Sequence, residues 1–357
     1  AVVSVSNRTL TLQRAAPSGN GTGQLTISAD TILQANGSMI VDVAGDIVFS
    51  GKLEAQGALV NLGSTQVSLG ETDSYGLSSG LILSNETLTG FAGSRLRLRS
   101  DTSIDIYGEL SNTDDGTELT FSELDLDSRG LTGIANDSGD VLLSADTITL
   151  SNSSGNELVD VGTAVNSSVL NISADRINLD KGTFKVQGYE AVNLIASNAA
   201  LFSGNGELIA EAPLTVDVPV IAGTAGADYT ITAQGDRLSF VGADPAAEIP
   251  DSVGLAAVLN LQGDAIDFAS RVVLPSGQVT MTQLGDIGSP VSGNNIEINS
   301  GAIIDVAGIS QVFGPEPLVT GGGNIIMLAE TGNINIADGS AFMVSAGQDT
   351  GGAGAIE

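Results

Sequence analysis

The chain of 357 residues contains no cysteine and no histidine. Without cysteine it can form no disulfide and has no thiol nucleophile, and without both residues it cannot build a zinc site of the Cys/His type. Tryptophan is also absent, and aromatic residues make up only 4% of the chain. The apolar 42% therefore consists mainly of Val, Ile, Leu and Ala, which suit closely spaced strands.

Basic residues are scarce, with 12 Lys and Arg against 42 Asp and Glu, and the formal net charge is -30. Nucleic-acid binding needs clustered cations that neutralise phosphates, so the composition predicts no nucleic-acid partner. The densest basic patch is short and consists of Arg95, Arg97 and Arg99. Charged residues are only 15% of the chain, which argues against an acidic disordered tail.

Long apolar runs are missing as well. No stretch of about 20 apolar residues occurs, so the sequence predicts no transmembrane segment. The opening residues AVVSVSNRTL lack a basic region followed by an apolar one, and they do not read as a signal peptide. The final residues GGAGAIE stop within a repeating pattern, and we expect the chain to be a segment of a longer one.

What the sequence does contain is a repeat. Residues 25–45 read LTISADTILQANGSMIVDVAG, and residues 170–188 read LNISADRINLDKGTFKVQG. Both place alternating apolar residues before Ser-Ala-Asp, then a short strand pattern, a glycine and another strand pattern. Partial copies recur at Val141–Leu150, Leu96–Ile106, Leu259–Phe268, Ser300–Gly308 and Asp338–Gly347. The repeat length of roughly 20 residues lies within the range of solenoid proteins.

The apolar residues recur with period 2 in short runs separated by Gly, Asn, Asp or Ser, which predicts strands rather than helices. Three short strands cannot bury their apolar face alone, but they can when stacked on a copy of themselves. Parallel stacking at about 4.8 Å and the usual hand of parallel crossovers predict an all-β, right-handed parallel β-helix, that is, a β-solenoid. We expect one such solenoid over residues 1–357.

Four stretches interrupt the repeat pattern and are predicted to leave the coil as loops or extra strands. They are residues 112–130, which are polar and acidic, residues 213–253, which hold four of the nine prolines, and the shorter stretches 285–295 and 311–323. Interruptions of this kind are where a solenoid usually carries specific function.

The repeated phrases resemble the repeats of filamentous-haemagglutinin-like proteins, and so does the end of the chain, GGGNIIMLAETGNINIADGSAFMVSAGQDTGGAG. These are large bacterial exoproteins of two-partner secretion. The resemblance covers about half of the chain. It implies a β-helix, export through an outer-membrane secretion barrel, and a filamentous form at the cell surface. Members serve as adhesins in cell adhesion, and some carry a toxin at the tip. Neither a toxin-like domain nor the family's N-terminal secretion domain is evident here.

An enzyme-like string occurs at residues 112–115, Asn-Thr-Asp-Asp. β-Helix hydrolases that cleave pectin use closely placed aspartates, so Asp114 and Asp115 are candidates for acid/base chemistry. The family's other motifs, which need a histidine and an Arg-Ile-Lys, are absent. The better interpretation is an acidic turn.

Two further acidic patterns have a functional and a structural interpretation. Glu123, Asp125 and Asp127 share one face of a predicted strand and could bind Ca²⁺, but a solvated strand face is favoured. The aspartates of Ser-Ala-Asp could form a row of ligands, but a corner at which Asp caps backbone N–H groups is favoured, because they recur with the repeat. These aspartates are Asp30, Asp146 and Asp175.

Acceptor patterns for N-glycosylation begin at Asn7, Asn20, Asn36, Asn85, Asn136, Asn152, Asn166 and Asn171. A chain rich in Asn, Ser and Thr produces several of these by chance, so modification stays open.

The sequence therefore predicts a non-catalytic repeat segment of a secreted bacterial surface fibre, adhesin-like or forming a filament or sheath. We assign no catalytic, cofactor-binding or metal-ligating residue and expect no cofactor. Expected partners are the secretion barrel during export and a cell-surface glycan or protein, or copies of the chain itself. A polysaccharide-active β-helix enzyme and the shaft of a contact-dependent toxin system are the alternatives.

Overall fold

The computed structural model describes residues 2–6, 23–43, 45–49, 51–55, 57–110, 118–134, 139–159, 167–285, 293–313, 316–347 and 352–357. Contacts divide the chain into two compact units. Unit 1 comprises residues 1–174 and 183–190, and unit 2 comprises residues 175–182 and 191–357. Both units consist of parallel β-strands wound in successive coils, so the all-β parallel β-helix predicted from the sequence is confirmed.

The elements of unit 1 are strands with a single short α-helix and one turn of 3-10 helix (η1) among the described residues. They are β1 (Val2–Ser6), β2 (Leu25–Ile27), β3 (Ile32–Gln34), β4 (Ser38–Asp42), β5 (Ile47–Phe49), β6 (Lys52–Glu54), β7 (Leu59–Ser64), β8 (Val67–Gly70), η1 (Thr72–Tyr75), β9 (Leu81–Ser84), α1 (Asn85–Thr89), β10 (Arg95–Ser100), β11 (Ile104–Tyr107), β12 (Thr120–Asp127), β13 (Gly130–Ile134), β14 (Val141–Ser151), β15 (Val169–Leu179) and β16 (Gly182–Gln187). The last five residues of β15 and the first of β16 belong to unit 2.

The remaining strands form unit 2. They are β17 (Ala191–Phe202), β18 (Asn205–Ala210), β19 (Leu214–Asp217), β20 (Ile221–Gly223), β21 (Asp228–Val241), β22 (Val258–Phe268), β23 (Arg271–Val273), β24 (Gln278–Gln283), β25 (Ile296–Ile298), β26 (Ile303–Asp305), β27 (Ser310–Phe313), β28 (Glu316–Val319), β29 (Asn324–Ala329), β30 (Ile334–Ile336), β31 (Ala341–Met343) and β32 (Ala355–Ile356). No helix in the described residues is long and apolar enough to cross a membrane.

In-register pairing lines up apolar side chains from coil to coil. In unit 2 one column runs through Leu194, Val216, Phe240, Phe268, Ile298 and Ile336. The first five are buried, with at most 1% of the side chain exposed, whereas Ile336 on the last coil is 54% exposed. Each residue is covered by its counterparts on neighbouring coils, so a column is buried everywhere except at its end.

The alternation of buried and exposed residues explains why these segments form strands. In β10 and β24 every second residue is buried, which matches the period-2 pattern of the sequence.

The short α-helix α1 was not predicted. Ser84 caps it by accepting a hydrogen bond from the Thr87 backbone N–H at 3.4 Å, and Leu88 anchors it in the core.

The coils of unit 2 differ in length. Val258 pairs with Gln278, 20 residues later, which agrees with the predicted repeat length. Ile296 pairs with Ile334, 38 residues later. The longer coil contains β27 and β28, an antiparallel hairpin outside the main sheet, at the position of the predicted interruption 311–323.

The other predicted interruptions are more regular than expected. Within residues 112–130, residues 112–117 lie outside the described part, but β12 is a regular strand between β10 and β14. Within residues 213–253, strands β19, β20 and β21 all belong to the stack, and only the part beyond β21 leaves it. Acidic or proline-bearing sequence did not break these strands because the polar residues of β12 alternate with the buried Leu124 and Leu126, and because Pro213 and Pro219 lie between strands. Most of the stretch 285–295 lies outside the described residues.

The loop that follows β21 is fastened by one arginine. Arg271 Nη1 donates to the backbone oxygens of Pro245 and Ala247, each at 3.1 Å. Ala247 packs against the buried residues Val220 and Val273. A guanidinium with several donors is suited to hold backbone carbonyls in this way.

We expect Phe268→Ala to destabilise unit 2 by about 3–5 kcal/mol, because it opens a cavity in a stacked column. Its ring lies 5.5 Å from that of Phe240, centroid to centroid. The measurement is chemical denaturation of the full chain. Val241→Ala, at a side chain that is 37% exposed, is the control and should change stability by less than about 1 kcal/mol. Equal effects of the two substitutions would contradict the column model.

Candidate functional site

The regular order of coils is broken in unit 1 at β8 and β9. The spatial order of neighbouring strands is β5, β9, β8, β11, although β8 precedes β9 in the chain. After β8 the chain therefore steps back by one strand position before it continues forward. We refer to the connecting residues 71–80, which include η1, as the back-step.

Backbone hydrogen bonds and one carboxylate hold the back-step in place. The Glu71 N–H donates to the Tyr107 oxygen at 2.7 Å, and the Leu81 N–H donates to the Gln66 oxygen at 2.8 Å. The Gly80 N–H donates to Asp46 Oδ1 at 2.9 Å. Both ends of the back-step are thus anchored to adjacent coils.

Glycine is required at both ends. Gly70 has φ +96° and Gly80 has φ +79°, in the left-handed region that other residues rarely adopt. A Cβ at Gly70 would lie 2.4 Å from the Tyr107 oxygen, and one at Gly80 would lie 2.6 Å from the Gln66 oxygen. This interruption was not predicted. The signal that could have revealed it is the set of three glycines in GETDSYGLSSG, residues 70–80.

An open pocket of about 320 Å³ lies between the back-step and strands β5 and β9. Its apolar wall includes Val48, Leu77 and Ile82. Val48 is 40% exposed, so this wall belongs to the outer face of the coil and not to the core. A pocket of this size is within the range that binds small molecules.

The polar wall of the pocket carries hydroxyl groups and one carboxylate, from Thr72, Asp73, Ser78, Ser84 and Thr87. Thr72 is only 2% exposed, and its hydroxyl has no hydrogen-bond partner among the described residues. A buried hydroxyl without a partner is unfavourable in the unliganded protein. None of the lining residues that the structure describes is basic.

A second feature is a charged ladder on β10 and β12. The parallel register places Arg95 opposite Glu123, Arg97 opposite Asp125 and Arg99 opposite Asp127. Arg97 is central, because its Nε lies 3.2 Å from Asp125 Oδ2 and its Nη2 lies 3.5 Å from Asp127 Oδ2. The short basic patch of the sequence therefore faces carboxylates on the next coil.

The favoured interpretation, a solvated strand face, holds for Glu123, which is exposed, but is wrong for Asp127. Only 3% of the Asp127 side chain is exposed. Besides the ion pair it accepts hydrogen bonds from the Ser153 N–H at 2.8 Å and from Ser153 Oγ at 2.7 Å. No group of three or more acidic side chains within the described residues is arranged to hold a metal ion. The strand pattern placed the carboxylates correctly, but it could not reveal which residues would lie beside them.

A third feature is a buried polar column. Ser68, Asp105, Thr132 and Gln187 occupy equivalent positions on β8, β11, β13 and β16, and each is at most 5% exposed. Gln187 Nε2 donates to Thr132 Oγ1 at 3.2 Å. Such a column needs internal partners, because water reaches none of these side chains freely.

Asp105 is the titratable member of the column. Ser103 Oγ donates to it at 2.6 Å, and Gln66 Nε2 donates to its other oxygen. Burial raises the pKa of Asp105, and the two hydrogen bonds offset only part of that increase. The pKa of Tyr107 is also raised, first by burial and then by the charge of Asp105.

The predicted position of the Ser-Ala-Asp aspartates at a corner is found for Asp30, which lies in a turn after β2. It is not found for Asp146 and Asp175, which lie inside the long strands β14 and β15. In β15 the alternation of burial is broken by two exposed residues in succession, Asp175 and Arg176. The Asp175 carboxylate accepts from Ser197 Oγ at 2.7 Å. It therefore pairs with a side chain of the next coil and not with a backbone N–H.

Two other predictions from the sequence concern the catalytic candidates Asp114 and Asp115 and the glycosylation pattern at Asn152. Asp114 and Asp115 lie outside the described residues, so the hydrolase hypothesis stays a prediction. Asn152 is 2% exposed, and its Nδ2 donates to the backbone oxygens of Asn156 and Thr183, each at 2.7 Å. Its amide is therefore not accessible to a glycosyltransferase in the folded protein.

Comparison of the chain with protein-family models, with curated proteins and with solved structures gives no match in any of the three. The resemblance to filamentous-haemagglutinin-like repeats therefore rests on the repeated phrases of the sequence.

We expect Arg97→Gln to destabilise unit 1 by about 1–3 kcal/mol, because it leaves the buried Asp127 carboxylate without its cation. Arg176→Gln, at an exposed position, is the matched control and should change stability by less than about 0.5 kcal/mol. Thermal unfolding at low and high salt measures both. An unchanged melting temperature for Arg97→Gln would show that the ladder is not structural.

We expect the stability of unit 1 to fall as pH rises from about 4 through the raised pKa of Asp105. The folded state holds the proton more tightly than the unfolded state does, so the stabilisation is complete at low pH and lost above the folded pKa. Asp105→Asn should remove this fall and raise the melting temperature at pH 7. Asp146→Asn, at an exposed carboxylate, is the control. A melting temperature that falls in Asp105→Asn at pH 7 would contradict the assignment.

Proposed function

We propose that this chain is a non-catalytic segment of a secreted bacterial surface fibre, which presents binding features away from the cell or assembles into a filament or sheath. The observation that carries the proposal is the architecture, in which successive coils bury apolar side chains in continuous columns. A stack of this kind provides extension and a repeated surface, which are the properties that a presenting fibre needs.

Three properties of the chain support this function. The absence of cysteine suits a chain that is threaded unfolded through an outer-membrane secretion barrel, because a disulfide would block passage. The net charge of -30 disfavours binding to nucleic acid. The repeated phrases resemble the repeats of filamentous-haemagglutinin-like adhesins. Each is consistent with a secreted location at the cell surface.

Self-association provides the route to a filament. Ile334 and Ile336 of β30 are 41% and 54% exposed, although their counterparts Ile296 and Ile298 on the preceding coil are buried. Among the described strands β30 pairs only with β25, so its other edge is unpaired. An unpaired edge beside exposed apolar residues favours pairing with another strand. A further coil of a longer chain or another copy of this chain would cover both, and the isolated chain can use only the second.

The location is tested by electron microscopy of the native source cells with gold-labelled antibody against this chain. We expect label along thin rods that project from the surface. Label confined to the medium, without filaments, would overturn the fibre proposal and would direct attention to assays of Asp114 and Asp115 on polysaccharides.

The self-association is tested by sedimentation of the purified chain over a range of concentrations. We expect the apparent mass to rise with concentration, and Ile336→Lys to abolish the rise because it places a charge on the exposed end of the column. Val241→Lys, at an exposed apolar residue away from β30, is the control. A chain that stays monomeric at high concentration would contradict stacking between copies.

A further inference from the structure

We propose that the pocket beneath the back-step binds a neutral sugar residue of a glycan. The inference rests on the proposed function, for which it names the class of ligand. It is argued from the chemistry of the wall, which combines an apolar surface, several hydroxyl groups, one carboxylate and no cation among the described lining residues.

The polar groups of the wall match a ligand that both donates and accepts hydrogen bonds. Serine and threonine hydroxyls can do either, and an ionised carboxylate can only accept. Asp73 is exposed on η1 and can therefore accept from ligand hydroxyl groups. Of the common small ligands, polyhydroxy compounds present both functions at many adjacent atoms.

The apolar residues match the other side of such a ligand. Val48 and Ile82 lie on neighbouring strands at the outer face, and Leu77 lies on the back-step opposite them. A pyranose ring carries patches of C–H groups, which can pack on aliphatic side chains. The volume of about 320 Å³ is at the lower end of the range for small-molecule pockets and suits one or two sugar residues.

The charge of the site selects against acidic glycans. A sialic acid or a sulfate would meet the Asp73 carboxylate without a compensating Lys or Arg in the described lining, within a chain of net charge -30. Like-charge contact of this kind provides specificity by excluding the wrong ligand. A neutral glycan meets no such repulsion.

Asp73 and Ser78 are the polar side chains of the wall that a ligand can reach, because both are exposed. Thr72 supplies no hydrogen bond to the ligand, since its hydroxyl oxygen has less than 1 Å² of accessible surface.

The first experiment screens the labelled full chain on an array that contains neutral, sialylated and sulfated oligosaccharides. We expect binding to neutral members only. Titration calorimetry with the best neutral oligosaccharide then compares variants. We expect Val48→Trp, which fills the pocket from its exposed wall, to abolish binding, and Asp73→Asn to weaken it about tenfold by removing charge-assisted hydrogen bonds.

Two exposed positions of unit 2 supply matched controls, Val241→Trp and Asp251→Asn, which should bind as the unchanged chain does.

The inference is overturned if no neutral oligosaccharide binds, if sialylated or sulfated members bind better, or if the pocket variants bind as well as the controls. These outcomes are distinguishable from a failure of the fibre proposal, which is decided by the location of the gold label. If the chain is found only in the medium but still binds neutral glycans through this pocket, the glycan inference is supported and the fibre proposal is overturned.

Discussion

The in-register stacking of parallel strands is the constraint on which the rest of the structure depends. It covers each apolar side chain with the equivalent side chain of the next coil, so that a three-strand unit too small to form a core becomes part of a continuous one. The column through Phe240 and Phe268 is one result. The same register also decides which polar residues become neighbours, as in the ladder of Arg97 and Asp125 and the column that contains Asp105.

Much of the fold could be predicted from the sequence because period-2 alternation and the recurrence of the repeat are visible in short stretches of sequence. The alternation that includes Leu170 and Ile172 predicts a strand without further context. The recurrence of the same sequence pattern predicts that this strand stacks on similar strands. The register between coils is not local. Nothing in RLRLRS or SELDLD, taken separately, shows that Arg97 will lie beside Asp125, so the carboxylates were assigned to a solvated face. α1 was missed because five residues are too few to show a helical period.

The pocket was missed for a related reason. Interruptions were sought where composition changes, at acidic or proline-bearing stretches, yet β12 and β21 remain regular there. The back-step changes the direction of the chain with ordinary polar residues and two glycines, and a third glycine, Gly70, precedes it. Gly70 and Gly80 are needed because the backbone of a neighbouring coil lies against them, and such a close approach is visible only once the coils are stacked. The position of the candidate site follows from the spatial order of the strands and not from a local change in residue composition.

The hairpin of β27 and β28 has a further consequence. It is inserted between β26 and β29, yet β29 pairs with β24 in unbroken register from Gln278 opposite Asn324 to Gln283 opposite Ala329. A corner can therefore accept or lose a whole structural element without disturbing the strands on either side. Insertions and deletions at such a corner can therefore be accommodated while the columns stay fixed. The buried columns are needed for stability, whereas the corners between strands can change in length without loss of the stack.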